Sequence, residues 1–572
     1  MKDKKLYVGL ICGLIVLVIY LTGVMYGKGS VVKGTTVPAE NMPQEWQNVI
    51  ASDVNNSKIL LEVDGNIIEN TEYDIYMEED FSIMLPAYMF NSVFKCAFNK
   101  YDNTSIVLQK GNTVVNVFAD TNNVECDGAQ LYVNPAMTVK DNKTYINAAI
   151  LEKCFGYSYE WHAENNNLKL VNKREKENFL PSKYDYRTCE RFNEIKNQGR
   201  LNTCWAFSSL TALETSLMPK ENFVFSVDNM VGNNGFNSSY KDGGDYNRAV
   251  AYLTSWRGPV LDSDDKYADN HVNKDAKPVK HVQEVQFIES KNLVAIKKAV
   301  FLYGGVETSL YTSMNKAGES SMYYNRDKSS YCYIGTKKPN HSVVIIGWDD
   351  NYPRSNFSIA PQGDGAFICA NSWGDKFGDN GVFYVSYYDS NIGVKNVSYT
   401  GVEDTDNYDN IYQSDICGWV GQLGYESDTA YFSNVYTAGK NEYLKAVGFY
   451  ATGNNTSYEI SIVRDFKDKS SLNERIVLKS GKLFNAGYYT IKLNEAIPIE
   501  TGKKYAVVVK ITTPGSVHPV AIEYKAGKTT ESVVIDDGEG YISLHGSSWE
   551  HVEETKKCNI CLKMYTDDME DN

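Results

Sequence analysis

NQGRLNTCWAFSSLTALETSL, from Asn197 to Leu217, is the stretch on which the reading of this chain turns. From Ala206 its apolar positions, Ala206, Phe207, Leu210, Leu213 and Leu217, recur at intervals of three and four, as one buried helix face requires. Pro219 ends the pattern, and Asn202 or Thr203 is suited to cap its start. Cys204 then falls in the first helical turn, where free N–H groups and the helix dipole favour a thiolate over a thiol. An isolated cysteine can equally be a buried packing residue, so its partners decide its role.

Attack of a thiolate on a carbonyl needs a base or ion-pair partner, a group that orients that partner, and donors for the oxyanion. His341 opens HSVVIIGW and Asn371 closes GAFICAN, two runs that read as buried strands. An antiparallel register with His341 opposite Asn371 puts Trp348 opposite Asp364. It leaves 349–363 as a polar loop containing Pro353, Pro361 and Gly363. That register brings the imidazole beside the amide.

With these residues in place, the middle of the chain resembles a papain-like cysteine peptidase. LPSKYDYR is similar to the start of the mature enzyme, NQGRLNTCWAF to the nucleophile segment, KPNHSVVIIGWDD to the histidine segment and ANSWGDKFGDNGVFYV to the asparagine segment. The family places its histidine and asparagine ~130–150 residues after the cysteine. His341 lies 137 residues beyond Cys204 and Asn371 lies 167 beyond, the excess falling in the long loop. The resemblance implies a helical half packed on an antiparallel β half, with Cys204 as nucleophile and His341 as its ion-pair partner and later proton donor. It further implies that Asn371 orients the imidazole, that Gln198 and the Cys204 N–H form the oxyanion hole, and that Trp373 shields the His341–Asn371 bond. Gly243 and Gly244, in YKDGGDY, match the glycines of the substrate-binding wall. No metal or other cofactor is implied.

Two departures stand out. The family's C-G-S-C is L-N-T-C here, so Leu201 replaces the cysteine that staples this loop, and packing is expected to hold it instead. No helical inhibitory prosegment of the usual kind precedes Leu180, which leaves open whether cleavage near 173–180 activates the enzyme.

The expected layout is multidomain, starting with a cytoplasmic tail and signal-anchor helix over 1–27. Leu6 to Tyr26 carries no charge, is flanked by lysines and is followed by no small-residue cleavage site. This predicts a transmembrane helix, with the amino terminus inside a cell membrane and the catalytic domain outside, or a secreted protein if the segment is removed. A linker over 28–57 leads to a domain over 58–172 with short β-rich runs and a helix at Asn147–Cys154 stopped by Gly156. LPAYMFNSVF from Leu85 is faintly echoed by INAAILEKCF from Ile146. TYINAAILEKCFGYSYEW resembles the copper-amine-oxidase amino-terminal-like, or stalk, domain of exported bacterial proteins, and the α+β region is expected to act as a spacer without a copper site. The papain-like domain occupies 180–400. The acidic segment Gly401–Asn410 reads as a linker keeping it apart from the carboxy-terminal domain. Residues 411–566 read as an all-β sandwich, YLKAVGFYA, YEISIV, GYYTIKL, KYAVVVKI and PVAIEY being strands. IYQSDICGWVGQLGY resembles the lectin-like domain that follows papain-like domains in some bacterial and archaeal exported proteins.

Composition narrows the partners. A net charge of −15 without a basic patch excludes a nucleic-acid partner. Eleven scattered cysteines form no disulfide framework, and Cys558 and Cys561, a lone C-x-x-C, lack the second ligand pair that zinc needs. The expected partners are a protein or peptide substrate and a cell-wall polymer or glycan, besides the membrane reached by the amino-terminal helix. The expected function is an extracellular cysteine endopeptidase. The alternative is a catalytically silent surface adhesin that binds wall polymer through its flanking β domains.

Overall fold

The computed structural model describes residues 59–569 apart from 69–74, 79, 103–104, 112, 120–121, 141–142, 164, 174–179, 190, 238, 268–271 and 536–537. Among the described residues no helix is long and apolar enough to cross a membrane. The longest of these, Cys204–Leu217, has 14 residues. At 1.5 Å per residue that is about 21 Å, short of a hydrocarbon core ~30 Å thick. The transmembrane helix expected in the fold class is thereby corrected: the architecture consists of α+β, papain-like and β-rich regions. Leu6–Tyr26, on which that expectation rests, lies outside the described residues, as does the stretch 174–179, where an activating cleavage would fall.

Among the described residues, Leu60 with 162–163 and 165–167 packs as one small unit, in which Leu60 N donates to Asn166 O at 2.8 Å. Residues 61–161 and 168–569 form the other. Its first part holds a five-stranded antiparallel meander over 97–132 and a four-stranded sheet in which Ile83–Pro86 pairs with Lys143–Asn147. Each of those two strands runs into a short helix, Ala87–Ser92 and Ala149–Phe155, the second ended by Gly156 at φ 71°. The faint sequence repeat is thus two strand–helix units, and its equivalent residues Leu85 and Ile146 pair directly across the sheet. Arg191 Nη1 joins this region to the next by donating to Asn91 Oδ1 at 3.0 Å.

The middle region divides as the papain-like expectation requires. Helices Cys204–Leu217, Val227–Gly232 and Tyr246–Thr254 form one half. The other is an antiparallel sheet whose neighbouring strands include Val306–Leu310, His341–Asp349, Ala366–Ala370 and Val382–Ser386. The register differs from the one read off the sequence. Val344 pairs with Ala370, and after an irregularity at Ile346 Trp348 pairs with Phe367 rather than Asp364. A slip of two residues keeps every side chain on its face, because strand side chains alternate with period two. The bulge then adds one more residue. His341 and Asn371 therefore stay on one face although they are not opposite each other.

The last region is a sandwich. The strands Glu442–Ala451, Ala486–Ile499 and Leu562–Asp568 lie in one sheet and Thr429–Thr437, Thr456–Val463 and Lys504–Thr512 in another. Val447, Phe449, Leu562 and Met564 from the first meet Phe432, Ile460, Val507 and Ile511 from the second in a buried core. The first sheet does not stop at the sandwich. Ala486–Ile499 pairs with His281–Ile288 of the papain-like region, from Glu284 opposite Tyr489 to Phe287 opposite Ala486. One thirteen-stranded sheet therefore runs through both regions. The expectation that Gly401–Asn410 keeps them apart is overturned: its first three residues, Gly401–Glu403, end the strand Asn396–Glu403, which pairs with His281–Ile288. Counting charges missed this, because strand pairing uses backbone groups, whatever the side chains carry. Cys558 and Cys561 are buried in the sandwich, as packed strand residues should be.

Candidate active site

The helix Cys204–Leu217 begins one residue after Thr203, which occupies the cap position without a side-chain capping bond. Trp205, Phe207, Leu210 and Leu213 are buried, so the apolar stripe anchors the helix and fixes where its first turn emerges. Cys204 itself stays partly exposed. Burial by itself would raise its pKa, but the hydrogen bond and charge of His341, helped by the N–H groups of Ser342 and Trp205, hold the thiol below its ordinary value. His341 responds in the opposite sense. Burial would lower it, yet the charge and hydrogen bond of Cys204 and the hydrogen bond of Asn371 raise it above the ordinary histidine range. Opposite shifts on two hydrogen-bonded groups favour a thiolate–imidazolium pair.

Asn371 fixes the tautomer. Its Oδ1 accepts from the Ser372 N–H at 2.8 Å and lies 2.8 Å from His341 Nε2, so Nε2 must carry a proton and donate. Nδ1 is left to face the thiol. Trp373 covers this bond, its ring centroid 4.7 Å from that of His341 and its surface 6% exposed. Water is thereby kept from competing for the hydrogen bond.

Gln198 is also buried, and both ends of its amide are engaged. Ser372 Oγ donates to Oε1 at 2.7 Å, and Nε2 donates to Leu201 O at 2.7 Å. An amide nitrogen carries two hydrogens, so one remains for an oxyanion. Ser372 was missed in the sequence, although its place between Asn371 and Trp373 in ANSWG was a signal. The loop that lacks its stapling cysteine is held by hydrogen bonds rather than by apolar packing. Gln198 N donates to Ser372 O at 2.8 Å, Asn202 N to Tyr240 O at 2.9 Å, and the Tyr267 hydroxyl to Gln198 O at 2.9 Å. A polar loop at a cleft has few apolar side chains to offer, which is why packing did not take over.

Gly243 and Gly244 lie beside this loop: Asn202 Nδ2 donates to Lys241 O at 2.7 Å. Gly243 has φ +70°, and a Cβ on Gly244 would stand 2.5 Å from the Trp205 ring. Both positions demand glycine, so the wall is smooth backbone.

A second residue escaped the sequence reading. Glu307 is the one charged residue of the strand Val306–Leu310, which pairs with the histidine strand. It accepts from Ser208 Oγ at 3.1 Å and Ser209 Oγ at 2.5 Å, both on the helix Cys204–Leu217. Burial pushes its carboxyl up to about 8 despite those bonds. The lone charge in VETSL was the available signal.

Three family profiles match the chain: copper amine oxidase N-terminal domain over 63–170, papain family cysteine protease over 180–402 and lectin-like domain over 411–566. Mouse (Mus musculus) cathepsin K is 28% identical over 230 residues, 38% of this chain and 64% of the relative. The viral cathepsin of Choristoneura fumiferana nuclear polyhedrosis virus is 24% identical over 223 residues, 38% of this chain and 62% of the relative. The chain thus spans just under two thirds of the length of these curated relatives. Among solved structures, the clostridial cysteine protease Cwp84 after propeptide cleavage superposes with a TM-score of 0.61 at 26% identity, covering 68% of this chain and all of that one. The protease and lectin-like domains of Cwp84, a surface layer associated protein of Clostridium difficile, give 0.59 at 26% identity over 68% of this chain and 89% of that one. The chain thus carries a papain-family cysteine protease domain, with a copper-amine-oxidase-N-like domain before it and a lectin-like domain after it.

Proposed function

We propose that the chain is an extracellular endopeptidase whose domains follow the layout 58–172, 180–400 and 411–566. The Cys204 thiolate adds to the scissile carbonyl carbon, and the resulting oxyanion takes hydrogen bonds from the free Gln198 Nε2–H and the Cys204 N–H. His341 then gives its Nδ1 proton to the leaving nitrogen as the C–N bond breaks, leaving an acyl-enzyme. A water molecule, deprotonated by the same nitrogen, releases the acid. Asn371 keeps the imidazole in register through both steps, while Trp373 excludes water from its hydrogen bond. The smooth glycine wall at Gly243 and Gly244 suits an extended peptide backbone.

The observation that carries this reading is the 2.8 Å bond between His341 Nε2 and Asn371 Oδ1, which aims Nδ1 at Cys204. The neighbour Cwp84 is a surface layer associated protein, which supports an extracellular site. The lectin-like region is assigned a cell-wall polymer or glycan as partner. Casein hydrolysis by the full chain tests the activity: it is expected to vanish in Cys204→Ala, and hydrolysis that survives would remove the mechanism.

A further inference from the structure

The lectin-like region reaches the substrate wall. Asn237 N donates to Thr529 O at 2.8 Å, and Asn237 Nδ2 lies 3.4 Å from Lys528 O and 3.5 Å from Glu531 Oε1. Three residues later the same peptidase loop meets Asn202, beside Cys204, through Tyr240 O and Lys241 O, and then enters Gly243 and Gly244. The segment 524–528 is exposed throughout. A peptide leaving Cys204 along the glycines thus runs toward a loop that belongs to another domain. The welded sheet and these bonds hold that loop in place.

This strip carries exposed charges of both signs, supplied by both domains. Asp242 Oδ2 accepts from Ser239 N at 2.7 Å and Ser239 Oγ at 2.8 Å, Asp245 Oδ1 caps Asn247 N at 3.1 Å, and Glu531 Oε1 faces Asn237. Asp242 and Asp245 are turned into their own loop, and Glu531 reaches across to the peptidase loop. Lys241, Lys525 and Lys528 are exposed, and after the Ser239 hydrogen bonds the Lys528 charge helps to hold the Asp242 carboxyl below its ordinary value. Arg248 adds a fourth cation, donating to Gly243 O at 2.8 Å.

We propose that the lectin-like loop 525–529 is a distal part of the substrate cleft, and that Lys528 and Lys525 select peptides with acidic residues several positions from the scissile bond. This rests on the peptidase reading above. The lectin-like domain then determines specificity as well as location, and truncating it removes a substrate contact.

Fluorogenic peptides sharing one core, with Glu or Lys placed about three to six residues to either side of the scissile bond, test the proposal on the full chain. Cleavage of the bare core and alkylation of Cys204 check the parent reading separately. The expected result is a kcat/KM about three- to fivefold higher for Glu than for Lys on one side only, the range of an exposed ion pair. Lys528→Glu is expected to reverse that preference and Lys528→Arg to keep it. Equal rates for the Glu and Lys peptides, or a preference unchanged in Lys528→Glu, overturn the proposal while leaving the peptidase reading intact. An uncleaved core peptide sinks both.

Discussion

Gly487 passes the carbonyl of Val285 so closely that a Cβ at 487 would stand 2.0 Å from its oxygen. The contact lies on the strand pair that joins the catalytic region to the sandwich, so the two share backbone hydrogen bonds across their boundary.

A shared sheet makes their unfolding one event. Calorimetry of the full chain should show catalytic and lectin-like regions melting in a single transition. Gly487→Ala should destabilise both together by about 2 kcal/mol or more, because the strand must shift to admit the methyl group. Two separate transitions in the unaltered chain would contradict this.

Glu307 should tie stability to pH. Its folded-state pKa of about 8 lies above the ordinary carboxylate value of 4.5, so between these pH values the unfolded chain releases a proton that the folded chain keeps. Stability from this group is intact below pH ~4.5 and declines as pH rises toward ~8, by a few kcal/mol at most. Glu307→Gln should flatten that slope in denaturant titrations at pH 5 and pH 8. An unchanged slope would show that the carboxyl ionises freely.

Gln198 and Ser372 should separate binding of the oxyanion from activation of the thiol. Gln198→Ala is expected to lower kcat by about 10²- to 10³-fold, and Ser372→Ala by about tenfold, since Ser372 only orients the amide. Alkylation of Cys204 forms no oxyanion, so its rate should stay within about threefold in both variants. A matching loss of alkylation would mean that the amide serves the thiolate instead.

The sequence made the helix of Cys204 legible through its apolar stripe, and the sandwich strands through their alternation. The pairing of His341 with Asn371 was legible in kind but not in register, because a two-residue slip leaves the hydrophobic pattern unchanged. The weld between Val285 and Gly487 was not legible: backbone pairing between distant strands leaves no mark on side-chain periodicity. Glu307 and Ser372 act on residues far from them in the chain, the Ser208–Ser209 pair and Gln198, and only the folded geometry brings them there.

The central claim is that Cys204 is held as a thiolate by His341. Burial pushes Cys96, Cys189 and Cys558 up to about 12, whereas Cys204 is shifted down. The most direct measurement is the rate of iodoacetamide alkylation at Cys204 against pH, read by mass spectrometry in the unaltered chain and in His341→Ala. Alkylation should persist at pH 6, where an ordinary thiol of pKa ~8.5 is less than about 1% ionised, and should fall at that pH in His341→Ala. A Cys204 that titrates like an ordinary thiol, or that reacts no faster than the buried cysteines, would contradict the account.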